Sequence, residues 1–408
     1  MNILLTSLMV PGAPSGVRVH YERLAEQLQR EGHTVTVITQ ASLRPMVRRA
    51  IGVFRRALGL FGQSGTRIGI ELGFVAEIYF AIDRTARYDV VNAQDVSSGW
   101  AARLALRDQA PVIVTGHFND HPAEELVHQL HLSGLSARFL HRWYTFLLRK
   151  TQFFIGVSDY VLQRTLPWLP ADAQSTVVYN GVDMTPPAEP TLPASVPDLR
   201  AMFPNRTIVL NVGQLEPRKN QRYLVQVAAA LRQQYTDFVL VLVGKGEDEE
   251  HLRQQIAAAG LEQHVVLLGY HREIMALLRT ANLYVHAATR ENCPLVLLEA
   301  MATECPAVAL AVGGIPELLA PTPEALIPVA TPPVELADYL QELLTTPTRV
   351  EQLRQRQHAF GRTHFDAHVM LANTLAFFEQ ARQLPAPTPT HPARVPTPAR
   401  PQPAMQAR

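Results

Sequence analysis

Twice along this chain, short apolar runs recur at intervals filled by amphipathic helical patterns, and a stretch dense in proline separates the two series. Strands made of unbroken apolar residues suit a parallel sheet covered by helices on both faces, because such a sheet exposes neither face to water. The first series reads as a strand over 2–7, a Gly/Pro loop, a helix over about 17–31, Gly32-His33 and a strand over 34–39, which is a βαβ unit. Further strands are predicted at 89–93, 111–115, 153–157 and 176–179. The prolines between Pro186 and Pro204 lack amide donors and disfavour a continuous helix or central strand, so 184–205 reads as a linker. Beyond it, strands are predicted at 207–212, 238–243, 265–268, 283–286 and 307–310, with helices between them. Helical patterns then cover about 333–344, 349–362 and 367–382. The text after Leu384 turns into Pro/Ala/Thr repeats that cannot pack a core, and 384–408 is expected to be a disordered tail.

A chain of 408 residues exceeds one ordinary core, which agrees with two doubly wound lobes. The formal net charge of +1 supplies no global field for nucleic acid. Two cysteines, Cys293 and Cys305, are too few for a disulfide framework or a cysteine-rich zinc site, and they fit a reducing compartment. The run from Ile3 to Val10 has no basic region ahead of it and ends in Pro11-Gly12-Ala13-Pro14, so it reads as a strand rather than a signal peptide, and a cytoplasmic location is expected. The most hydrophobic stretch, 68–82, is interrupted by Glu71 and Glu77, which argues against a membrane span.

In open α/β sheets ligands sit at the carboxyl ends of strands, where helix N-termini offer unpaired amides. Two lobes of this kind facing one another make a cleft. The strongest local signal is Glu291-Asn292-Cys293-Pro294-Leu295-Val296-Leu297-Leu298-Glu299-Ala300-Met301, two glutamates with seven residues between them. Pro294 suits the first helical position and Asn292 or Cys293 would cap the helix. Glu291 then lies in the loop, Glu299 about a turn and a half into the helix, and the amides near Leu295 and Val296 face the cleft. A sugar nucleotide needs this combination, with diphosphate on the amides and hydroxyl pairs on the carboxylates. Taken alone, two glutamates eight apart are common and read as a solvated loop residue and a helix-surface residue; the context of the lobe changes that. Val212-Gly213-Gln214-Leu215-Glu216-Pro217-Arg218-Lys219-Asn220 ends the first strand of the same lobe and brings in two adjacent cations, suited to a diphosphate and its developing charge. Val312-Gly313-Gly314-Ile315-Pro316-Glu317 follows the strand after the two-glutamate helix, where paired glycines permit close backbone approach to a ligand.

The ordered run of these motifs resembles glycosyltransferase family 4, the retaining group with the GT-B fold, over about residues 2–380. The matching pieces also include Pro14-Ser15-Gly16-Val17, Val114-Thr115-Gly116-His117, Gly156-Val157-Ser158, Tyr179-Asn180-Gly181-Val182-Asp183, Leu242-Val243-Gly244-Lys245-Gly246 and Leu268-Gly269-Tyr270. The resemblance implies an N-terminal Rossmann-like acceptor domain over 1–183, a C-terminal Rossmann-like donor domain over 206–362, and a helix over 363–383 that returns to the N-terminal lobe. It further implies donor binding by Gly16, Arg218, Lys219, Leu295, Val296 and Glu299, with Glu299 on the nucleotide ribose. Glu291 would touch the donor sugar and His117 would lie beneath it, the two counted as catalytic. Anomeric configuration would be retained by same-face attack, with no protein nucleophile and no required metal or other cofactor. The sequence agrees in lacking the Asp-x-Asp of a metal-binding transferase. Implied partners are a nucleotide-sugar donor and a glycan or lipid-linked acceptor of cell-surface polysaccharide or glycolipid synthesis, with no nucleic acid.

Three positions depart from the family pattern. Gln214 stands where many relatives carry arginine, Asn292-Cys293-Pro294 replaces a common Gly-aromatic-Gly, and Gly16 is one glycine where two are frequent. A sugar-nucleotide epimerase or phosphorylase would share the cleft, and a non-catalytic scaffold would share the fold; Gln214 leans toward the scaffold, whereas Glu291, Glu299, Lys219 and His117 lean against it. Gly244-Lys245-Gly246 lacks the third glycine of a dinucleotide fingerprint, and the following Glu247-Asp248-Glu249-Glu250 would repel diphosphate.

Between 44 and 61, Val47, Ile51, Phe54, Leu58 and Phe61 recur at helical spacing, with Arg48, Arg49, Arg55 and Arg56 on other faces. This basic amphipathic helix fits an anionic membrane surface, and it fits equally a stripe packed on the N-terminal lobe with its arginines in water.

Overall fold

The apolar runs become twelve strands in the computed structural model, which describes residues 1–12, 15–185 and 195–384. In the first lobe these are β1 (Asn2–Ser7), β2 (Thr34–Thr39), β3 (Val90–Ala93), β4 (Val112–Gly116), β5 (Phe153–Gly156) and β6 (Gln174–Val177). In the second they are β7 (Thr207–Val212), β8 (Phe238–Val243), β9 (Val265–Gly269), β10 (Leu283–His286), β11 (Ala307–Leu310) and β12 (Leu326–Ile327). Every pairing is parallel, in the orders β2-β1-β3-β4-β5-β6 and β12-β11-β10-β7-β8-β9. Each sheet reverses its winding once, between β1 and β3 in the first lobe and between β7 and β10 in the second. At these switch points the outgoing loops diverge and open a crevice for ligand.

Helices cover both faces of the first sheet. Leu24, Ala25 and Leu28 of the helix Gly16–Arg30 share one face with Met370, Leu371, Phe377 and Phe378 of the last helix, Ala367–Gln383, packed on Ile3, Leu5, Ile113 and Phe153. On the other face, Val75 and Ile78 of Gly62–Ala81 and Ala101, Ala102 and Ala105 of Val96–Leu106 cover Leu4 and Val91. The chain therefore leaves the second lobe to finish on the first. It crosses back beside Gly181, where Val182 donates to the Phe365 carbonyl at 3.0 Å and accepts from the Ala367 amide at 2.9 Å.

Four local expectations change. The sixth strand lies two residues earlier than 176–179, because at this sheet edge half-buried Gln174, Ser175 and Thr176 pair with β5 and the apolar signal begins only as the strand ends. The two-residue β12, too short for periodicity to mark, adds an edge to the second sheet. The stretch 44–61 is a helix Pro45–Gly59 followed by a break and the helix Gly62–Ala81. Val47, Ile51 and Leu58 turn inward, whereas Phe54 and Phe61 remain exposed, so the stripe is divided. Arg55 also turns inward, 3.0 Å from Glu77 and stacked over Phe74. The glutamates that interrupt the hydrophobic stretch are both buried, Glu77 on Arg55 and Glu71 between Arg67 and the Tyr144 hydroxyl. Among the described residues no helix is long and apolar enough to cross a membrane. Ala13, Pro14, the heart of the proline stretch at 186–194 and the tail from 385 lie outside the described residues.

Candidate active site

Because β7 and β10 are neighbours, pairing Val209 with Leu283 and Leu210 with Tyr284, their outgoing loops run side by side. The amide of Thr289 donates to the Arg218 carbonyl at 2.9 Å, and Arg218 donates to the Arg290 carbonyl at 3.2 Å. This seam brings both cations of the first loop onto the first glutamate of the second. Lys219 is ion-paired with Oε1 of Glu291, Arg218 lies 3.5 Å from the same oxygen, and Arg218 also binds Glu216 at 2.7 Å. Burial alone would push the Glu291 carboxyl up, but Lys219, His286 and Arg218 outweigh it and hold the group well below the usual carboxylate range. Glu291 is an anion at any physiological pH.

The helix Leu295–Ala302 follows directly. Pro294 caps it rather than opening it, and neither Asn292 nor Cys293 serves as the side-chain cap expected from the sequence. Both residues are engaged across the cleft: Asn292 donates to the His117 carbonyl at 3.0 Å, and Asn180 donates to the Cys293 carbonyl at 2.7 Å. The cap is thus replaced by contact with the other lobe. Among the described residues nothing accepts from the amides of Leu295 and Val296, whereas Leu297 donates to the Pro294 carbonyl at 3.0 Å. Those two amides carry the positive end of the helix dipole into the cleft. Gly16 of the opposite lobe comes up to the Leu295 side chain, since a β-carbon there would lie 4.0 Å from its Cδ1. Glu299 is buried and accepts from Arg23 of the opposite lobe at 2.9 Å.

Gly313 and Gly314 make the close approach that their pairing suggests, but to the protein's own chain. Gly313 has φ +54°, and a β-carbon on it would stand 1.7 Å from the Glu291 carbonyl oxygen. One at Gly314 would stand 2.1 Å from the Asn292 oxygen and 2.9 Å from the Ser158 side chain. The glycines therefore set the height of the Glu291 loop against both lobes.

His117, on the loop after β4, forms the opposite wall. Its Nε2 lies 2.9 Å from Oε1 of Gln94, whose own amide donates to Asn92 at 2.6 Å, and Asn92 in turn donates to Thr115 at 2.9 Å. This chain makes Nε2 the protonated ring nitrogen. Burial, and then the edge of His20 at 4.9 Å, lower the basicity of His117 well below the ordinary histidine value, so the ring is neutral. The structure thus gathers Gly16, His117, Arg218, Lys219, Glu291, Leu295, Val296 and Glu299 into one cleft.

Other cleft residues carried no sequence signal as such. Arg23, Gln94 and His286 sit in ordinary helix, loop and strand text, while Asn180 and Glu317 lie inside quoted motifs without an assigned role. Glu317 joins the lobes by accepting from the Asp159 amide at 2.7 Å, the Tyr160 amide at 2.8 Å and the Tyr179 hydroxyl at 3.0 Å.

Two family models match the chain in succession: Glycosyltransferase Family 4 over residues 14–185 and Glycosyl transferases group 1 over residues 200–363. The chain belongs to glycosyltransferase family 4, group 1. It is similar to a phosphatidyl-myo-inositol mannosyltransferase of Mycobacterium leprae, with 27% identity over 85% of this chain and 87% of that protein. It is also similar to a lipopolysaccharide core mannosyltransferase of Rhizobium meliloti, with 29% identity over 43% of this chain and 50% of the relative. In fold, this family 4 glycosyltransferase resembles the crystal structure of Anabaena HepE in complex with UDP, at a TM-score of 0.69 and 20% identity over 93% of this chain and all of the other. The two facing parallel-sheet lobes are a GT-B architecture.

Proposed function

We propose that the enzyme moves a sugar from a nucleoside-diphosphate sugar to a glycan or lipid-linked acceptor with retention of anomeric configuration and without a divalent ion. The observation that carries this reading is the meeting of Lys219, Arg218 and the two open helix amides around Glu291 at the β7/β10 switch point. Together they form a cationic cradle beside a permanently ionised acceptor. The diphosphate would lie on the Leu295 and Val296 amides, drawing Lys219 and Arg218 partly away from Glu291. Glu299 would accept the ribose hydroxyls, and the sugar would lie between Glu291 and His117. In the transfer step the bond from the anomeric carbon to the phosphate oxygen breaks, and the acceptor oxygen bonds that carbon on the same face. The acceptor proton passes to the departing phosphate oxygen. The growing charge on the diphosphate is met by the two cations and the helix dipole, groups already oriented before reaction.

A lipid-linked acceptor is supported by the tip of the helical hairpin on the first lobe. There Leu60 is 86% and Phe61 78% exposed, and along the helix Pro45–Gly59 that leads to the tip Met46, Val53 and Phe54 are also exposed, as are Arg49 and Arg56. Bare aromatic and aliphatic side chains flanked by arginines suit the boundary of an anionic bilayer. The mannosyltransferases of Mycobacterium leprae and Rhizobium meliloti are named for lipid-borne substrates, which agrees with this reading.

The test is a thermal-shift and hydrolysis screen against a panel of UDP-, GDP- and ADP-sugars, with and without chelator. Stabilisation by one donor and slow release of its nucleoside diphosphate in chelator, with anomeric retention in the product, is the expected result. No binding by any donor at millimolar concentration would overturn the assignment, and conversion of donor without acceptor into an epimer would replace it.

A further inference from the structure

Tyr284 and His286 lie two residues apart in β10, and their side chains therefore project from the same face of the strand. Both are fully buried. The Tyr284 hydroxyl lies 2.7 Å from Nδ1 of His286. Burial, followed by the charges of Glu291 and Glu299, pushes the phenol far above its ordinary pKa, so it keeps its proton and donates. Burial likewise disfavours the imidazolium form of His286. A neutral imidazole has one N–H, and with Nδ1 accepting, that N–H is on Nε2. Nε2 is buried, makes no hydrogen bond, and lies 3.6 Å from Oε1 of Glu291.

The arrangement is one-sided. Lys219, Arg218 and His286 all approach Oε1 of Glu291, and among the described residues no group binds Oε2. Lys219 and Arg218 are the groups a diphosphate would recruit, and that would leave His286 as the remaining hold on the carboxylate. We propose that His286, its tautomer set by Tyr284, is a positioning residue that steadies Glu291 through Oε1 and so presents Oε2 to the donor sugar. This rests on the reading of Glu291 as the sugar contact.

The experiment compares H286L, H286Q, Y284F, E291Q and the H286L/E291Q double variant. Turnover of UDP-glucose, UDP-N-acetylglucosamine and GDP-mannose is followed for each, with binding of UDP and GDP measured alongside. Once Lys219 and Arg218 turn to the diphosphate, the 3.6 Å approach of Nε2 to Oε1 closes into a hydrogen bond to a charged group, and its loss predicts that H286L lowers kcat about tenfold or more. Binding of UDP and GDP, which carry no sugar at Glu291, stays close to wild type. H286Q can accept from Tyr284 and donate to Glu291 at once, so it retains most of the turnover, while Y284F, which releases the tautomer, falls between the two. The double variant is no slower than E291Q, because both changes remove one device. Equal losses in H286L and H286Q that follow their melting temperatures, or a double variant whose losses multiply, would overturn the proposal and leave His286 a packing residue. Unchanged turnover in E291Q would overturn the reading of Glu291 itself.

Discussion

Arg23 of the first-lobe helix Gly16–Arg30 and Glu299 of the second-lobe helix Leu295–Ala302 are held 2.9 Å apart across the cleft. The contact occupies the carboxylate assigned to the ribose, and Nη1 of Arg23 is buried without a partner. Arg23 holds Oε1 alone, so a ribose hydroxyl pair that uses both carboxylate oxygens would compete with this guanidinium. Arg23 is about a third exposed, so the pair is worth no more than about 1 kcal/mol. R23A should therefore bind UDP or GDP up to about fivefold more tightly. Calorimetry on R23A checks this, and weaker binding would mean that Arg23 holds the nucleotide instead.

Lys219 and Arg218 share Glu291 unequally. Lys219 is ion-paired with it directly, whereas Arg218 is farther away, more exposed and also bound to Glu216. Removing a preorganised cation from a leaving diphosphate costs on the order of a hundredfold in kcat. K219A should lose that much, and R218A clearly less. Steady-state kinetics with the donor that the screen selects would show the order, and equal losses would contradict it.

Gly313 combines a left-handed backbone with a β-carbon position inside the Glu291 carbonyl. G313A should destabilise the protein by about 1–3 kcal/mol. Because the displaced atom belongs to Glu291, turnover should fall by more than the loss of folded protein explains. Melting temperature and kcat of the folded fraction, measured together, separate the two effects.

His20 is buried against His117, and burial, aided by the charge of Arg23, lowers its pKa from 6.5 to about 4. The folded state keeps this ring neutral, whereas the unfolded chain takes up a proton near 6.5. The stability it contributes is thus complete above pH 6.5 and is lost as the pH falls from there toward 4. The difference is on the order of 3 kcal/mol, with a slope of about 1.4 kcal/mol per pH unit. Denaturant unfolding at several pH values should show the decline, and H20Q should remove about one proton from its slope. An unchanged slope in H20Q would reassign the acid sensitivity to His117 and His121, whose pKa values are lowered in the same direction.

The exposed pair Leu60 and Phe61 gives the membrane reading its own test. Flotation with vesicles rich in phosphatidylglycerol should carry the wild-type protein and leave L60S/F61S in solution, with binding weakened by salt. Retention of the double variant on vesicles would move the contact elsewhere.

The strands at 2–7, 207–212, 238–243, 283–286 and 307–310 were readable because each is apolar enough to be largely buried on both faces, and the edge strand at 34–39, mostly unburied, was readable from its run of β-branched Thr, Val and Ile. The sixth strand and β12 were not, since an edge strand needs little apolar character. At the cleft, the loops could be placed from strand ends and glycines, but their mutual contacts are products of topology. Nothing in the text around Asn292 says that it bonds the His117 carbonyl 175 residues away instead of capping its own helix. Arg55 follows the same logic: periodicity set it on a polar face, and the neighbouring helix supplied Glu77 to receive it.

The return of the last helix to the first lobe also orders the events of synthesis. The second lobe is one continuous stretch, complete once β12 and the helices after it have left the ribosome. The first lobe must wait, with Ile3, Leu5, Ile113 and Phe153 lacking the cover that Met370, Leu371, Phe377 and Phe378 bring. The half made first is thus finished last, and a nascent chain stopped before residue 367 would present to chaperones a sheet face that only the helix Gly16–Arg30 covers in part.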